Sequence, residues 1–237
     1  MSGHSKWAKI HRKKGLVDAS RSKVFAKISK EIMIAARGTN GDPNDNPGLR
    51  VVIEKARSNN MPKDNIQKAI DKATKSVDDM HFEEMRYEGY GPAGSAFIVD
   101  CLTDNKNRTA SEVRAAFNKH GGNLGTSGSV SFMFKRKGVL DFKYDGDFDD
   151  IMLKAIDAGA LDYEKEDGIT TVYTEPDKLL EVKDLLINEG ISDFEVSELQ
   201  FVPDSLISLS DEDTEKVLKL QDALEDIDDV SDVYSNI

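Results

Sequence analysis

The spacing of apolar and polar residues predicts three helices in the first third of the chain. Residues 18–37 repeat apolar side chains at helical intervals, and Gly38 suits the left-handed position that follows a helix. Asn46 suits the N-cap of a second helix over 47–58, which begins with a proline. A third helix, over 62–75, also begins with a proline. We therefore expect a small helical bundle.

One side of each predicted helix is apolar, and these sides are expected to form the core of the bundle. The predicted core residues are Val24, Phe25, Ile28, Ile32, Ala35, Ala36, Leu49, Val52, Ile53, Ala56, Ile66, Ala69, Ile70 and Ala73. The first helix carries Lys23, Lys27, Lys30 and Arg37 on its opposite side, and the third helix carries Lys68, Lys72 and Lys75 away from the core. The pattern predicts a lysine-rich exterior.

The periodicity changes after residue 80 from that of helices to a mixture of strands and helices. Strands are expected at 82–90, 95–103, 129–136, 139–142, 161–164, 169–174, 194–201 and 230–234, and helices at 107–120, 148–158, 176–188 and 211–227. Residues 137–203 follow the order strand, helix, strand, strand, helix, strand, which is the order of a ferredoxin-like domain.

These patterns predict an α+β multidomain protein, with an N-terminal helical bundle followed by two ferredoxin-like αβ sandwich domains. The first domain is residues 1–78, a basic arm with three helices. The second is discontinuous, with residues 79–136 joined by 204–237, because the last helix and strand are needed to complete it. The third, 137–203, is inserted into the second.

The charge of the chain is distributed very unevenly. The 237 residues have a net charge of −12, yet residues 1–77 contain 17 Lys and Arg against 7 Asp and Glu, which is +10. The remainder contains 15 basic and 37 acidic residues, which is −22. A basic segment on an acidic body indicates a polyanionic partner, and the acidic part would repel phosphate. We expect nucleic acid to bind the N-terminal part.

The first 17 residues cannot bury a core and are expected to form an arm that a partner orders. Lysine and arginine bind phosphates by charge, without base recognition, and tryptophan can stack on an exposed base. The candidate nucleic-acid-binding residues of the arm and the first helix are Lys6, Trp7, Lys9, His11, Arg12, Lys13, Lys14, Lys23, Lys27 and Lys30.

Each of these features also has a purely structural interpretation. Trp7 can pack against the bundle instead of stacking on a base, and the pattern does not separate the two. Lysines at helical spacing can serve only to solvate a helix face. In the third helix, Asp64 with Lys68 and Asp71 with Lys75 are pairs four residues apart that stabilise a helix.

No residue pattern indicates catalysis or a bound cofactor. The glycine-rich stretches 89–94 and 121–129 lack the lysine and hydroxyl that end a phosphate-binding loop, so tight turns are favoured. A further hypothesis is that the second stretch, with Phe132 and the basic residues 135–137, helps to cradle a nucleic-acid backbone. His4 and His11 lack the spacing and neighbours of a metal site. We expect a non-enzymatic protein without cofactor or metal.

Two features indicate the compartment. Cys101 is the only cysteine, so it cannot form an intramolecular disulfide, and it lies in an apolar run typical of a core. The chain contains neither a signal-peptide pattern nor an apolar stretch long enough to span a bilayer. We expect a cytoplasmic protein that does not enter a membrane, and the oligomeric state is left open.

Several separate motifs, in order along the chain, resemble those of the YebC/PmpR family. They are Met1-Ser-Gly-His-Ser-Lys-Trp7, His11-Arg-Lys-Lys14, Tyr87-Glu-Gly-Tyr-Gly-Pro92, Asn107-Arg-Thr-Ala110 with Val113-Arg114, and Gly121-Gly-Asn-Leu-Gly125 through Gly128-Ser-Val130. Ala93 stands where the family more often has a second glycine after the proline.

The resemblance covers essentially the full length and implies three domains, a helical one and two of αβ type. It also implies a cytoplasmic protein described as a DNA-binding transcriptional regulator. Members that include a mitochondrial translational activator are tied instead to translation and to relief of ribosome stalling at proline-rich stretches. The resemblance therefore implies two alternatives, a transcriptional regulator and a factor that binds RNA or the ribosome.

Overall fold

In the computed structural model, residues 18–75 and 82–237 are described, with the side chains of 18–20 excepted. The helices are α1 (Asp18–Ala36), α2 (Pro47–Ser58), α3 (Lys63–Lys75), α4 (Lys106–Lys119), α5 (Asp149–Asp157), α6 (Leu179–Asn188) and α7 (Asp211–Glu225). The strands are β1 (Glu83–Tyr90), β2 (Ala96–Thr103), β3 (Asn123–Leu124), β4 (Phe134–Lys143), β5 (Ala160–Glu166), β6 (Ile169–Thr174), β7 (Phe194–Pro203) and β8 (Val230–Ser235). The expected mixture of N-terminal helices and later αβ structure is confirmed.

The first three helices pack around one apolar core. Ile28 and Ile32 of α1 meet Leu49 of α2 there, and all three are buried. The Asn46 side chain accepts a hydrogen bond from the Leu49 amide, which caps α2 as its sequence predicts. The predicted core of the bundle is therefore largely the observed one.

The first sheet has the strand order β3-β1-β2-β8, and every neighbouring pair is antiparallel. Helices α4 and α7 cover one face, where Phe97 packs edge-on against Phe117 and close to Leu220. The C-terminal strand β8 completes the sheet by pairing with β2, although more than 120 residues separate them.

The second sheet has the order β5-β6-β4-β7 and is also antiparallel throughout. Its elements follow one another as strand, helix, strand, strand, helix, strand. Helices α5 and α6 lie on the same face, over a core that includes Phe142, Leu179 and Leu186. On this face Lys183 of α6 donates a hydrogen bond to Ser197 and lies over the ring of Phe194.

The structure differs from the sequence-based expectation at two points. The first sheet lacks ferredoxin-like connectivity, because β1 and β2 are joined by a tight turn and pair at the centre of the sheet. The strand expected over 129–136 is replaced by a 3-10 turn at Ser131–Met133, followed by the long strand β4. The boundary expected between residues 136 and 137 lies inside β4.

Candidate nucleic-acid interface

The seven arm residues predicted to bind nucleic acid are outside the described part of the chain. They are Lys6, Trp7, Lys9, His11, Arg12, Lys13 and Lys14. Their assignment stays a prediction. The three other candidates lie on α1 and can be placed.

Lys23, Lys27 and Lys30 face the acidic end of α7 instead of lying on a free exterior. The Lys23 ammonium is 3.1 Å from a carboxylate oxygen of Asp226, and Lys27 donates to the carbonyl oxygen of Glu225 at 2.5 Å. Lysines often bind the last carbonyls of a helix, where the helix dipole is negative. Burial lowers the pKa of Lys27, and the carboxylate of Glu225 opposes that shift. The expectation of an exposed lysine face is corrected for Lys27 and Lys30, which are partly buried, whereas Lys23 stays exposed.

Lys30 belongs to a buried network centred on Asp229. Lys30 donates to the Asp228 carbonyl at 3.0 Å, and its ammonium is 3.4 Å from an Asp229 carboxylate oxygen. The other Asp229 oxygen accepts from Arg108 at 2.5 Å and from the Thr109 hydroxyl at 2.9 Å. Burial alone would raise the pKa of Asp229, but the hydrogen bonds from Arg108 and Thr109 lower it. The ion pair between Lys30 and Asp229 therefore connects the helical domain to the first αβ domain.

Lys55 of α2 connects all three parts of the molecule. Its ammonium lies 3.0 Å from Glu31 of α1, 2.9 Å from Asp232 of β8 and 3.9 Å from Glu198 of β7. The side chain is only 13% exposed. Burial raises the pKa of Glu31 to about 7, although the positive charge of Lys55 opposes the shift. Burial would lower the pKa of Lys55, but its acidic neighbours outweigh it and raise that pKa well above normal.

Other cations of the helical domain are exposed and form no ion pair with any residue in the described ranges. They are Arg37, Arg50, Lys63, Lys68 and Lys72. Most cations of the αβ domains, in contrast, are paired with nearby acids, as Lys135 is with Asp204 and Lys154 with Glu189. Five cations of the αβ domains also form no ion pair in the described ranges: Arg114, Lys119, Arg136, Lys137 and Lys165. Unpaired cations are therefore denser on the helical domain, with five in 58 described residues against five in 156.

The glycine-rich loop before β4 is held by one carboxylate. Glu88 of β1 accepts hydrogen bonds of 2.8 Å from the backbone amides of Gly128, Val130 and Ser131. Burial would raise the pKa of Glu88, but these three donors outweigh it and lower the pKa. The same amides cannot bind phosphate while they bind Glu88, which argues against the hypothesis that they cradle a nucleic-acid backbone.

This loop nevertheless presents an aromatic side chain to solvent. Phe132 is 72% exposed, and Tyr90 beside the loop is 41% exposed. The Tyr90 hydroxyl donates to the Ser129 carbonyl at 3.0 Å, which fixes the ring against the loop. Aromatic rings held in place on a surface are what single-stranded nucleic acids use for base stacking. The sequence placed Phe132 near the loop but gave no signal of its exposure.

Residues 18–75 and 82–237 contain no cluster of three or more His, Cys, Asp or Glu side chains that could hold a metal ion. No helix in the same ranges is both long and apolar enough to span a membrane. Cys101 is buried, and burial raises the pKa of its thiol to about 12.

Two family models together match nearly the whole chain. The model of the TACO1/YebC N-terminal domain matches residues 5–76, and the model of the second and third domains matches residues 82–237. The chain belongs to the TACO1/YebC family. The resemblance inferred from the sequence motifs is confirmed.

Relatives in this family are similar over their full length. A "probable transcriptional regulatory protein" of Geobacillus sp. (strain WCH70) is 50% identical over 240 residues, which cover 100% of this chain and 97% of that protein. One of the same name from Fusobacterium nucleatum is 50% identical over 241 residues, covering 100% and 95%. The crystal structure of a conserved hypothetical protein from Aquifex aeolicus has 42% identity and a TM-score of 0.81, covering 92% of this chain and 90% of that chain.

The motifs that carry the TACO1/YebC resemblance have structural roles where they are described. Arg108 and Thr109 of the Asn107–Ala110 motif bind Asp229. Glu88, in the Tyr87–Pro92 motif, binds the glycine-rich motif that follows β3. These contacts lie within the first αβ domain, where they tie α4 to the start of β8 and shape the loop before β4.

Proposed function

We propose that the protein is a non-enzymatic regulator of gene expression that binds nucleic acid through its N-terminal arm and helical domain. The observation that carries the proposal is the set of exposed cations on the helical domain, which pair with no described residue, next to an arm with five more. Unpaired cations bind phosphates by releasing counterions, whereas a cation in an ion pair must first break its contact with the carboxylate. The names of the relatives support a role in transcription.

The test is the salt dependence of binding by the full-length protein. Replacing Lys9, Arg12, Lys13 and Lys14 by alanine should weaken binding to every sequence and reduce the salt slope by about 0.9 per lost phosphate contact on duplex DNA. A matched control replaces four cations of the αβ domains by alanine: Lys135, Lys143, Lys154 and Lys178, each of which is ion-paired. Equal losses in the two variants would contradict the proposed interface.

A second candidate function is that of a translation factor that binds RNA or the ribosome and activates translation or relieves stalling. The observation that favours it is the exposed ring of Phe132 on a loop fixed by Glu88. A ring can stack only on a base that is unpaired or at a helix end, and folded RNA offers many more such bases than duplex DNA. Trp7 in the arm would add a second stacking group.

These two candidates can be separated by removing the aromatic groups. Phe132→Ala and Trp7→Ala should each weaken binding to structured RNA or purified ribosomes by about 1–3 kcal/mol and leave duplex affinity nearly unchanged. The control is the melting temperature, since a structural loss would affect all partners alike. A selective loss on duplex DNA with unchanged melting would contradict the translation candidate and favour transcription.

A further inference from the structure

The acidic end of α7 and the turn that follows it bind the basic side of α1. Residues 225–232, the acidic stretch, contain five aspartates and glutamates and no lysine or arginine. Carboxylates or carbonyl groups of this stretch bind three lysines that lie on one side of α1 and form the lysine row: Lys23, Lys27 and Lys30. Carboxylates and phosphates are both anions that lysine binds as a point charge. The acidic stretch therefore has the chemistry of the partner that the lysine row was predicted to bind.

The joint between the helical domain and the αβ domains is held by charged groups on both sides. In the described ranges, the buried apolar residues of the bundle form a cluster of their own, and Val51 is the bundle residue that packs against an αβ core. Lys55 pairs across the joint with Asp232 and Glu198. It also pairs with Glu31 inside the bundle, so it keeps one partner when the joint opens, and the other carboxylates regain water. Domain interfaces that lack a large apolar area normally permit relative domain motion.

The basic side of α1 extends beyond the acidic stretch. Arg37 follows Lys30 by seven residues, which is about two helical turns, and so lies on the same side. It is exposed and forms no ion pair with any residue in the described ranges. From Lys23 to Arg37 the basic side is about 21 Å long, and duplex DNA carries one negative charge per about 1.7 Å of its axis. A nucleic acid bound at Arg37 therefore has further phosphates within reach of the lysine row.

We propose that the acidic stretch is an internal mimic of nucleic acid, which binds the lysine row in the closed molecule and is displaced when a nucleic acid binds the helical domain. Displacement opens the joint between the helical domain and the αβ domains, and it gives phosphates access to three further lysines. The two equilibria are linked. A change that weakens the hold of the acidic stretch on α1 raises the affinity for nucleic acid, and nucleic acid shifts the molecule toward the open state.

This inference rests on the proposed function for the identity of the competing ligand. The closing of the joint by the acidic stretch does not rest on it, and it can be measured in protein without nucleic acid. The experiment therefore has one measurement of binding and a separate measurement of opening.

Asp226→Asn with Asp228→Asn weakens the acidic stretch and leaves every lysine in place. Both acids are exposed. Asp226 pairs with Lys23, and burial lowers the pKa of Lys27 while the charge of Asp228 opposes that shift. At the ordinary strength of two exposed charge pairs, the affinity of the full-length protein for a short DNA duplex or an RNA hairpin should increase by about 2- to 30-fold.

The matched control is Asp157→Asn with Asp211→Asn, which changes the net charge equally. Both acids are exposed, one on α5 and the other at the opposite end of α7. At 0.15 M salt the Debye length is about 8 Å, so the control should leave the affinity nearly unchanged. Equal melting temperatures of the two variants would confirm that both are folded.

Opening is measured as the distance between two spin labels, on Asn44→Cys between α1 and α2 and on Ala115→Cys on α4. Both positions are exposed, whereas Cys101 is buried and its thiol has a pKa raised to about 12, so it should stay unlabelled. Without nucleic acid the labels should show one main distance, and saturating duplex or hairpin should add a longer one. The Asp226 and Asp228 substitutions should raise the population of the longer distance without any nucleic acid.

Each contrary result has a distinct meaning. A label distance that stays unchanged at saturating nucleic acid would overturn the proposal, because the lysine row would then stay covered while other cations bind. Equal gains in affinity for the Asp226/Asp228 variant and its control would reduce the effect to net charge and overturn it as well. Failure of both probes to bind would refute the proposed function and nucleic acid as the competitor. The label distances without nucleic acid would then decide separately whether the acidic stretch closes the joint.

Discussion

Replacing Lys55 by methionine tests whether the ion network at the junction of the three domains holds them together. Methionine keeps most of the volume but removes the charge, so Glu31, Asp232 and Glu198 would face one another without a cation. Removing one partner of a buried ion pair costs about 3–5 kcal/mol. At about 2–4 °C per kcal/mol for a chain of this size, the melting temperature should fall by about 6–20 °C.

The loss should also depend on pH in a defined direction. Burial raises the pKa of Glu31 above its ordinary value, so the folded state binds this proton more tightly than the unfolded state. Lowering the pH from 8 to 5.5 therefore stabilises the folded state. Without Lys55 the pKa of Glu31 should rise further, because the positive charge that opposes the shift is gone. The variant should therefore gain more stability from acid than the wild type. The gap between their melting temperatures should narrow at pH 5.5.

Thermal unfolding followed by circular dichroism at the two pH values is a sufficient assay. Lys63→Met is the matched control, because Lys63 is exposed on α3 and pairs with no residue of the described chain. Adding Glu31→Gln to the Lys55 variant should restore part of the lost stability, since it removes one of the clustered charges. The reasoning is refuted if the Lys55 and Lys63 variants have the same melting temperature. It is also refuted if the difference in melting temperature between the wild type and the Lys55 variant increases at pH 5.5.

Other predictions concern the glycine-rich loop and the first αβ core. Glu88→Gln should destabilise the protein by about 1–3 kcal/mol, because an amide cannot accept all three backbone donors, and hydrogen exchange at the loop amides should accelerate. In the wild type, the loop amides should be protected from hydrogen exchange above pH 4.5, and this protection should be lost as the pH falls through the lowered pKa of Glu88. Protection that survives protonation of Glu88 would show that its carboxylate does not hold the loop. Cys101 should react with thiol reagents only after unfolding, because burial raises its pKa to about 12; rapid labelling at pH 8 of folded protein would show that its strand opens. Phe132→Ala should change the melting temperature by less than about 1–2 °C, as expected for an exposed side chain, and a larger drop would mean that the ring packs in solution.

Sequence periodicity predicted the elements whose residues face a single core. Ile28, Ile32 and Leu49 repeat at helical intervals and are buried in the bundle. The same reasoning failed for the lysines of α1. Helical periodicity identifies the side of a helix that faces away from its own bundle, but it does not show which residues of another domain contact that side. The acids that meet Lys23 and Lys27 lie about 200 residues away in the chain.

The structure before β4 could not be predicted because one distant side chain determines it. Residues 129–136 alternate well enough to suggest a strand, and Val130 and Phe134 are indeed buried. Glu88 accepts hydrogen bonds from three backbone amides of this loop and holds it in a turn, so pairing in the sheet begins only at β4. The candidate arm, in contrast, is recognisable from charge alone, because its composition needs no tertiary context.

The late position of β8 sets an order for folding during synthesis. The β2 edge that β8 covers cannot be closed until β8 has left the ribosome, whereas β7, the last strand of the second sheet, ends at Pro203, well before β8 begins at Val230. Domains fold as units while the chain emerges, and an unpaired edge is a template for wrong pairing. The second sheet can thus fold while the first sheet still lacks its final strand. A chain truncated before β8 would leave the edge of β2 unpaired, and it is expected to aggregate.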